Sequence, residues 1–549
     1  MPTSHLPRPT RSRLRLEPLE DRTVPSAVAQ MVPNDPLYPT TSPPPASTQW
    51  NLPKVGAPDA WDVTRGSTKV VVADTDSGID YTHPDLYQNV WINQAEIPAS
   101  RLKNLTHTDD DGLITFRDLN YKAANGIYPN QGIGKIADEN RNGYIDAGDL
   151  LYPMGVTKGA DNGKGGWADR VNQDAATETS PLGRGFVDDL VGWDFFNNDN
   201  NPWDDNGHGT HTAGTIGAVG NNALGVAGLA WEVQIMPVKI IGASSSQGAS
   251  DLATPIKYSV VKGARVSNNS WGVWNLTSTA NTALSQAVAF ARDNGQLFVA
   301  AAMNNALDND TSVSRAYPAS YDFDNIISVA ATDANDVLAS FSNYGATSVD
   351  LAAPGVDVWS TVRVGRVQGS DDYGMGSGTS MATPHVTGSA ALLLASDPTL
   401  TYQQVRNLIL ANVDTVPSLA GKVATGGRLN VARALAAAPA MLQGPTPTLT
   451  SLSTGTTGDA TGSESDTGVE AGSVAMLSSP TEPMDEPVGG LLVDQHARHD
   501  HRLPARDLTR PLPVRVSILW EQTPENEVGL AYLDLGWIDL TGSPWDSRL

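Results

Sequence analysis

Strand-length apolar runs alternate with helical segments through the middle of this chain. That alternation constrains the fold more than any other feature. KVVVADT, VQIMPVKII, RVSNNSW, QLFVAAA and NIISVAAT read as strands, and LATPIKYSVVKG and TANTALSQAVAFARDNG read as helices between them. The second helix puts Leu284, Val288 and Ala291 on one face and stops at Gly295. Thr401 and Gln404 have the spacing of a capping box ahead of VRNLILAN. Strands that are apolar along both faces suit a sheet covered on both sides. The pattern predicts an α/β fold with a doubly wound, mostly parallel central sheet and helices on both faces. In such sheets, ligands bind where strands end and helices begin.

Three polar groups stand at such places. KVVVADTDSGIDYTHPDL puts Asp76 at the end of an apolar strand, before a Ser-Gly turn. DDNGHGTHTAGTIGA puts His208 at the start of a small-residue helix. GTSMATPHVTGSAALLLAS puts Ser380 where a loop becomes an apolar helix, with Gly378 just before it and Pro384 in the first turn. A hydroxyl at that position can cap the helix. It can also act as a nucleophile whose oxyanion meets the positive end of the helix. A carboxylate, an imidazole and a hydroxyl are the groups that acyl transfer requires. The imidazole takes the hydroxyl proton, and the carboxylate fixes the imidazole tautomer.

Composition narrows the function classes. The net charge is −24, from 60 acidic and 36 basic residues, which argues against a nucleic-acid partner. There is no cysteine, so disulfides, a thiol nucleophile and Cys-based zinc sites are excluded. Abundant carboxylates without thiols favour calcium over soft metals. No apolar run is long enough to predict a transmembrane helix.

The stretches DSGIDYTHPDL, NGHGTHTAG and GTSMATPHVTG together resemble the three active-site motifs of the subtilisin-like serine peptidases, in the family's Asp, His, Ser order. The resemblance spans residues 34–437, interrupted by an insertion at about 87–199. It implies Asp76 as orienter, His208 as general base and Ser380 as nucleophile, with His211 and His385 as structural groups. FVAAAMNNA implies Asn304 as the side-chain oxyanion donor, and Met303 stands where the family has a glycine lining the first specificity pocket. Ser270, Trp271 and Gly272 match the strand that pairs with an extended peptide substrate.

Calcium is the cofactor that the resemblance implies, and thermitase-like members are the nearest in pattern. NDP at Asn34–Pro36, with Asp35, resembles their N-terminal calcium motif, which Asp85 and Asn222 would complete. Asp199, Asn201 and Asp204 suggest a second site beside His208. Within the insertion, Asp138, Asn140, Asn142, Gly143, Ile145 and Asp149 fall at positions 1, 3, 5, 6, 8 and 12 of an EF-hand-like loop. HTDDDGLITFRD, beginning at His107, repeats that pattern more loosely.

The ends differ from this centre. Residues 1–33 read as an unstructured export or sorting segment, because RLRLEPLEDR resembles a sequence at the N-terminus of large exported bacterial proteins. From 438 to 549 the chain is Thr-, Ser-, Gly- and acid-rich and is expected to be disordered, save for short strand-like runs such as VGLAYLDLGWIDL. HARHDHR, around His499, reads as a solvated charged segment. The expected protein is a secreted or cell-surface monomer acting on proteins or peptides. The alternative is a non-catalytic surface or binding protein on the same scaffold.

One residue breaks the pattern. Asp74 lies two positions before Asp76 in a strand, so both share a face, at a place where the family is apolar. Burial beside a second carboxylate predicts either a raised pKa or a hidden partner. An unpaired Asp74 would make Asp74→Val stabilising.

Overall fold

The computed structural model describes residues 31–442, apart from short internal gaps, together with the strands Leu530–Tyr532 and Trp537–Ile538. The central sheet has nine strands: β1 (Gly66–Asp76), β2 (Trp193–Asp194), β3 (Glu232–Lys239), β4 (Val266–Asn269), β5 (Leu297–Ala301), β6 (Ile326–Thr332), β7 (Leu351–Pro354), β8 (Asp414–Thr415) and β9 (Gly427–Arg428). Their spatial order is β8-β9-β7-β6-β5-β4-β1-β3-β2. Every pairing is parallel except β8 with β9. This is the fold predicted from the alternation.

The helices divide between the two faces, and β1 shows why. Val70 and Val72 pack into the cluster that also holds residues of α1 (His208–Gly217), α4 (Thr379–Ser396) and α5 (Tyr402–Ala411). Ala73 joins the opposite cluster, with residues of α2 (Ala253–Val261) and α3 (Ser278–Asp293). Period-2 alternation therefore sends Asp74 and Asp76 to the face covered by α1 and α4. Helix α4 is buried almost from end to end, which explains its nearly unbroken run of apolar and small residues. The capping box at Thr401 and Gln404 is formed, and Leu284, Val288 and Ala291 are buried on α3.

The insertion has a core of its own. Ile92, Ile114, Phe116, Leu119, Ile136, Ile145, Leu150 and Trp167 are fully buried in one cluster. At the other end, α6 (Val431–Leu442) carries the fold past the boundary expected at 438. The strands Leu530–Tyr532 and Trp537–Ile538 both fall within VGLAYLDLGWIDL. Leu530–Tyr532 pairs antiparallel with the short strand Gly272–Trp274, and Trp537–Ile538 pairs with Tyr373–Ser377. Residues 1–30, His499 and the rest of the tail from 443 lie outside the described residues.

Candidate active site

Asp76 ends β1 and His208 begins α1. Asp76 Oδ1 accepts from His208 Nδ1 at 2.7 Å and from the Ser77 backbone N–H at 2.7 Å, with both side chains buried. A carboxylate on Nδ1 fixes the imidazole tautomer and leaves Nε2 as the basic nitrogen. The turn before α1 is held by Asp204. Its Oδ1 accepts from Ser77 Oγ and from the N–H groups of Asn206 and Gly207, and its Oδ2 accepts from the N–H and hydroxyl of Thr210.

Ser380 is the second residue of α4, and Gly378 occupies the N-cap position, so the hydroxyl is not the helix cap. Ser380 Oγ donates to the Ser270 carbonyl at 3.1 Å, and Ser270 Oγ donates back to the Ser380 carbonyl at 2.9 Å. This reciprocal pair joins the end of β4 to the start of α4. Asn304 stands beside them, its Oδ1 accepting from the Thr379 N–H at 2.9 Å. That bond orients the Asn304 amide. Trp271 is buried against the α2–α3 side of the sheet.

Met303 is buried with φ at +83°, in the left-handed region that side chains avoid. Its Sδ would lie 2.6 Å from a Cβ at Gly272, so the thioether sits directly on the strand Gly272–Trp274. A glycine here would relieve the backbone and empty that space.

His211 and His385, in the His and Ser motifs, bond to the backbone. His211 Nε2 donates to the Val358 carbonyl at 3.0 Å, and burial pushes its pKa down to about 4. His385 Nδ1 donates to the Met381 carbonyl while its Nε2 accepts from Asn51 Nδ2, and burial again pushes the pKa down to about 4.

Asp74 has buried partners that the sequence did not reveal. Its Oδ1 accepts from Asn268 Nδ2 and its Oδ2 from Thr212 Oγ1, each at 2.9 Å. Burial, and then the charge of Asp76, hold its pKa well above the carboxylate range. The condition under which Asp74→Val would stabilise is therefore not met, because Asp74 is partnered and valine would leave one Asn268 Nδ2 N–H without its acceptor.

Among the expected calcium ligands, Asp35, Asp85 and Asn222 converge. Asn222 Nδ2 donates to Asp85 Oδ1 at 2.7 Å, and the N–H groups of Asn221 and Asn222 donate to Asp35. Burial pushes Asp85 up to about 8 and raises Asp35. Among the described residues, no lysine or arginine pairs with either. Two buried carboxylates without a cationic partner fit a divalent ion.

The Asp138 loop is closed. Asp138 accepts from the N–H groups of Asn142 and Gly143, and Asp149 accepts from those of Glu139 and Asn140. Gly143 has φ at +101° and Ile145 is fully buried, as the EF-hand pattern requires. Asp146, at position nine of that loop, bonds to the Asn140 and Asn142 amides and was not singled out from the sequence. The looser loop from His107 gathers Asp109, Asp111 and Asp118 so that one oxygen of each lies within 4.8 Å of the others. His107 itself donates to the Leu113 carbonyl.

The site expected at Asp199 and Asp204 is weaker. Asp204 engages both oxygens with the turn it holds, Asp199 Oδ1 accepts from the Asn201 N–H, and Asn201 accepts from Tyr81.

A parallel α/β sheet with an Asp–His pair and a helix-borne serine defines a hydrolase-like architecture. The sequence profile of the subtilase family, Peptidase S8, matches residues 67–436, and the chain belongs to that family. It is 46% identical over 204 residues to a thermophilic serine proteinase of Bacillus sp. strain AK1, covering 37% of this chain and 46% of that protein. It is 39% identical over 251 residues to thermitase of Thermoactinomyces vulgaris, covering 44% and 80%. It is 42% identical over 204 residues to Subtilisin Savinase of Lederbergia lenta, covering 37% and 69%. Among solved structures, proteases from Pseudoalteromonas arctica PAMC 21717 align with a TM-score of 0.45 at 26% identity, over 74% of this chain and 99% of that one.

Two predictions follow from this geometry. A carboxyl whose folded pKa exceeds the unfolded 3.8 binds more protons when folded, so it costs stability as pH rises from 3.8 through the folded pKa. Asp74→Asn mimics the protonated acid and removes that cost. Denaturant titrations should find it at least as stable as wild type at pH 8, with the difference shrinking toward pH 4. A difference that stays constant with pH would reject a raised pKa at Asp74. For Met303→Gly, hydrolysis of a peptide library should shift toward Phe and Leu over Ala at P1, the residue before the cut. An unchanged P1 profile would show that the thioether does not limit the pocket.

Proposed function

We propose that this chain is a calcium-stabilised serine endopeptidase that cleaves extended polypeptide segments through an acyl-enzyme. The observation that carries the proposal is the 2.7 Å Asp76–His208 contact on the same sheet face as Ser380. His208 Nε2 accepts the Ser380 proton as Oγ attacks the substrate carbonyl carbon. Asp76 stabilises the imidazolium that forms. The oxyanion is met by Asn304 Nδ2 and by the N-terminal end of α4. Collapse expels the amine, which takes its proton from His208. Water, deprotonated by the same nitrogen, then releases the acyl group from Ser380.

Substrate would add as a strand along Gly272–Trp274. The pairing of that strand with the chain's own Leu530–Tyr532, with Ala531 opposite Val273, supports this mode, because the edge accepts an extended antiparallel segment. A substrate takes that edge in place of the internal one. The proposed state is a secreted or cell-surface monomer. Among the described residues, no helix is long and apolar enough to cross a membrane.

Asp35, Asp85 and Asn222 would hold one calcium ion, and the Asp138–Asp149 and Asp109–Asp118 loops would hold others. Bound calcium supplies positive charge to buried carboxylates and cross-links distant segments. Asp35 and Asp85 join the N-terminal arm to the loop after α1.

Labelling with a fluorophosphonate probe tests the reading. Wild type should label at Ser380, and Ser380→Ala should not. A folded wild type that never labels would instead favour the binding-protein alternative. Asn304→Ala should retain KM and lose about 10²–10³ in kcat. An unchanged kcat would move the oxyanion donor elsewhere.

Chelation tests the calcium. EDTA should lower Tm and excess calcium should restore it, since the ion binds the folded state alone. A melting curve indifferent to both, after prolonged dialysis, would reject a stabilising role.

A further inference from the structure

The insertion and helix α2 enclose a second carboxylate cluster, made from none of the residues considered so far. Glu96, Asp174 and Asp189 approach from three parts of the insertion, and one oxygen of each lies within 4.8 Å of the others. Lys262, just after α2, reaches Asp174 and Glu178 at 2.6 Å and Asp189 at 2.7 Å. One ammonium thus pairs with three carboxylates, with Glu96 beside them.

A count of hydrogen bonds finds a deficit. Glu96 Oε1 accepts from the N–H groups of Gln173 and Asp174 at 2.9 and 3.2 Å. Asp174 Oδ2 accepts from Lys262 and from Asn93 Nδ2. Asp189 Oδ1 accepts from Asn93 Nδ2, and its Oδ2 accepts from the Tyr258 hydroxyl at 2.6 Å. Glu96 Oε2 and Asp174 Oδ1 accept no N–H or hydroxyl from another residue, although both are sealed from solvent and Glu96 is only 1% exposed; the two carboxyls lie within hydrogen-bond reach of each other. Buried oxygens are almost always satisfied.

We propose that Glu96, Asp174 and Asp189 bind a calcium ion that fastens the insertion to α2. The donors are all oxygen, which selects a hard cation. Calcium takes carboxylate oxygens at about 2.3–2.6 Å, and these three carboxylates lie close enough to share one ion. The ion adds the positive charge that Lys262 alone does not supply. Its position also matters for the active site. Asp189 lies just before β2 (Trp193–Asp194), and the chain then runs through Asp204 to His208.

The competing account is a proton shared by Glu96 and Asp174. Glu96→Gln separates the two, because the amide replaces a protonated acid but ligates calcium poorly. The full chain would be dialysed against calcium and its metal counted by mass spectrometry, with melting curves in calcium and in EDTA. The expected variant carries one calcium fewer per chain. It melts at or above wild type in EDTA and below it in calcium. An unchanged calcium count, with a variant equal to or more stable than wild type in both buffers, overturns the proposal. If Glu96→Gln does not fold, Glu96→Asp keeps the charge on a shorter arm and should weaken one calcium site at least tenfold by titration calorimetry. Unchanged affinity at every site in that variant would also overturn the proposal.

Discussion

The geometry of this active site depends on one buried carboxylate that takes no part in the chemistry. Asp204 accepts from five donors, and these belong to two separate pieces of chain: the residue after Asp76, and the turn that leads into the first turn of α1. Because the two oxygens of one carboxylate hold Ser77 and Thr210, the end of β1 and the start of α1 cannot drift apart. The 2.7 Å contact between Asp76 and His208 follows from that constraint. A negative charge near the first N–H groups of a helix is favoured by the dipole as well as by the bonds, so Asp204 tolerates full burial.

Ser380 is positioned by a different kind of constraint. Helix α4 is buried along nearly its whole length, so its axis is set by packing against β1, β4, β5 and β6. Packing alone leaves a helix free to slide by a residue's rise. The reciprocal Ser270–Ser380 bonds and the Asn304–Thr379 bond fix that last degree of freedom. The last of those bonds also orients the Asn304 side-chain amide beside Ser380.

Much of this was legible in the sequence, for a physical reason. The strand ends, the helix starts and the Thr401 capping box are local patterns, set by residues a few positions apart. The Asp–His–Ser motifs stand at such local punctuation. What stayed hidden was long-range. The partners of Asp74 come from Thr212 and Asn268, on different elements, and nothing in KVVVADT announces them. The run DDNGHG shows an Asp before a histidine, but calcium ligand and helix anchor look the same there until five donors are seen to converge. Likewise Glu96, Asp174 and Asp189 each sit in an unremarkable stretch, and only folding of the insertion brings them together.

The acidic composition has a structural meaning beyond solubility. A charge of −24 could be carried entirely on the surface, yet Asp74, Asp85, Glu96 and Asp189 are all buried and all raised by that burial. The four are handled differently. Asp74 has two hydrogen-bond donors, and burial raises its pKa. Asp189 has Lys262 and Tyr258. Asp85 has Asn222 and a backbone N–H, but no cationic side chain among the described residues. Glu96 has two backbone donors on one oxygen and none on the other. Desolvated charge must be balanced by protons, by ammonium groups or by metal ions. Each buried acid here is balanced by whichever of these its neighbours supply. The insertion therefore joins the catalytic core on terms set by charge as much as by its apolar cluster.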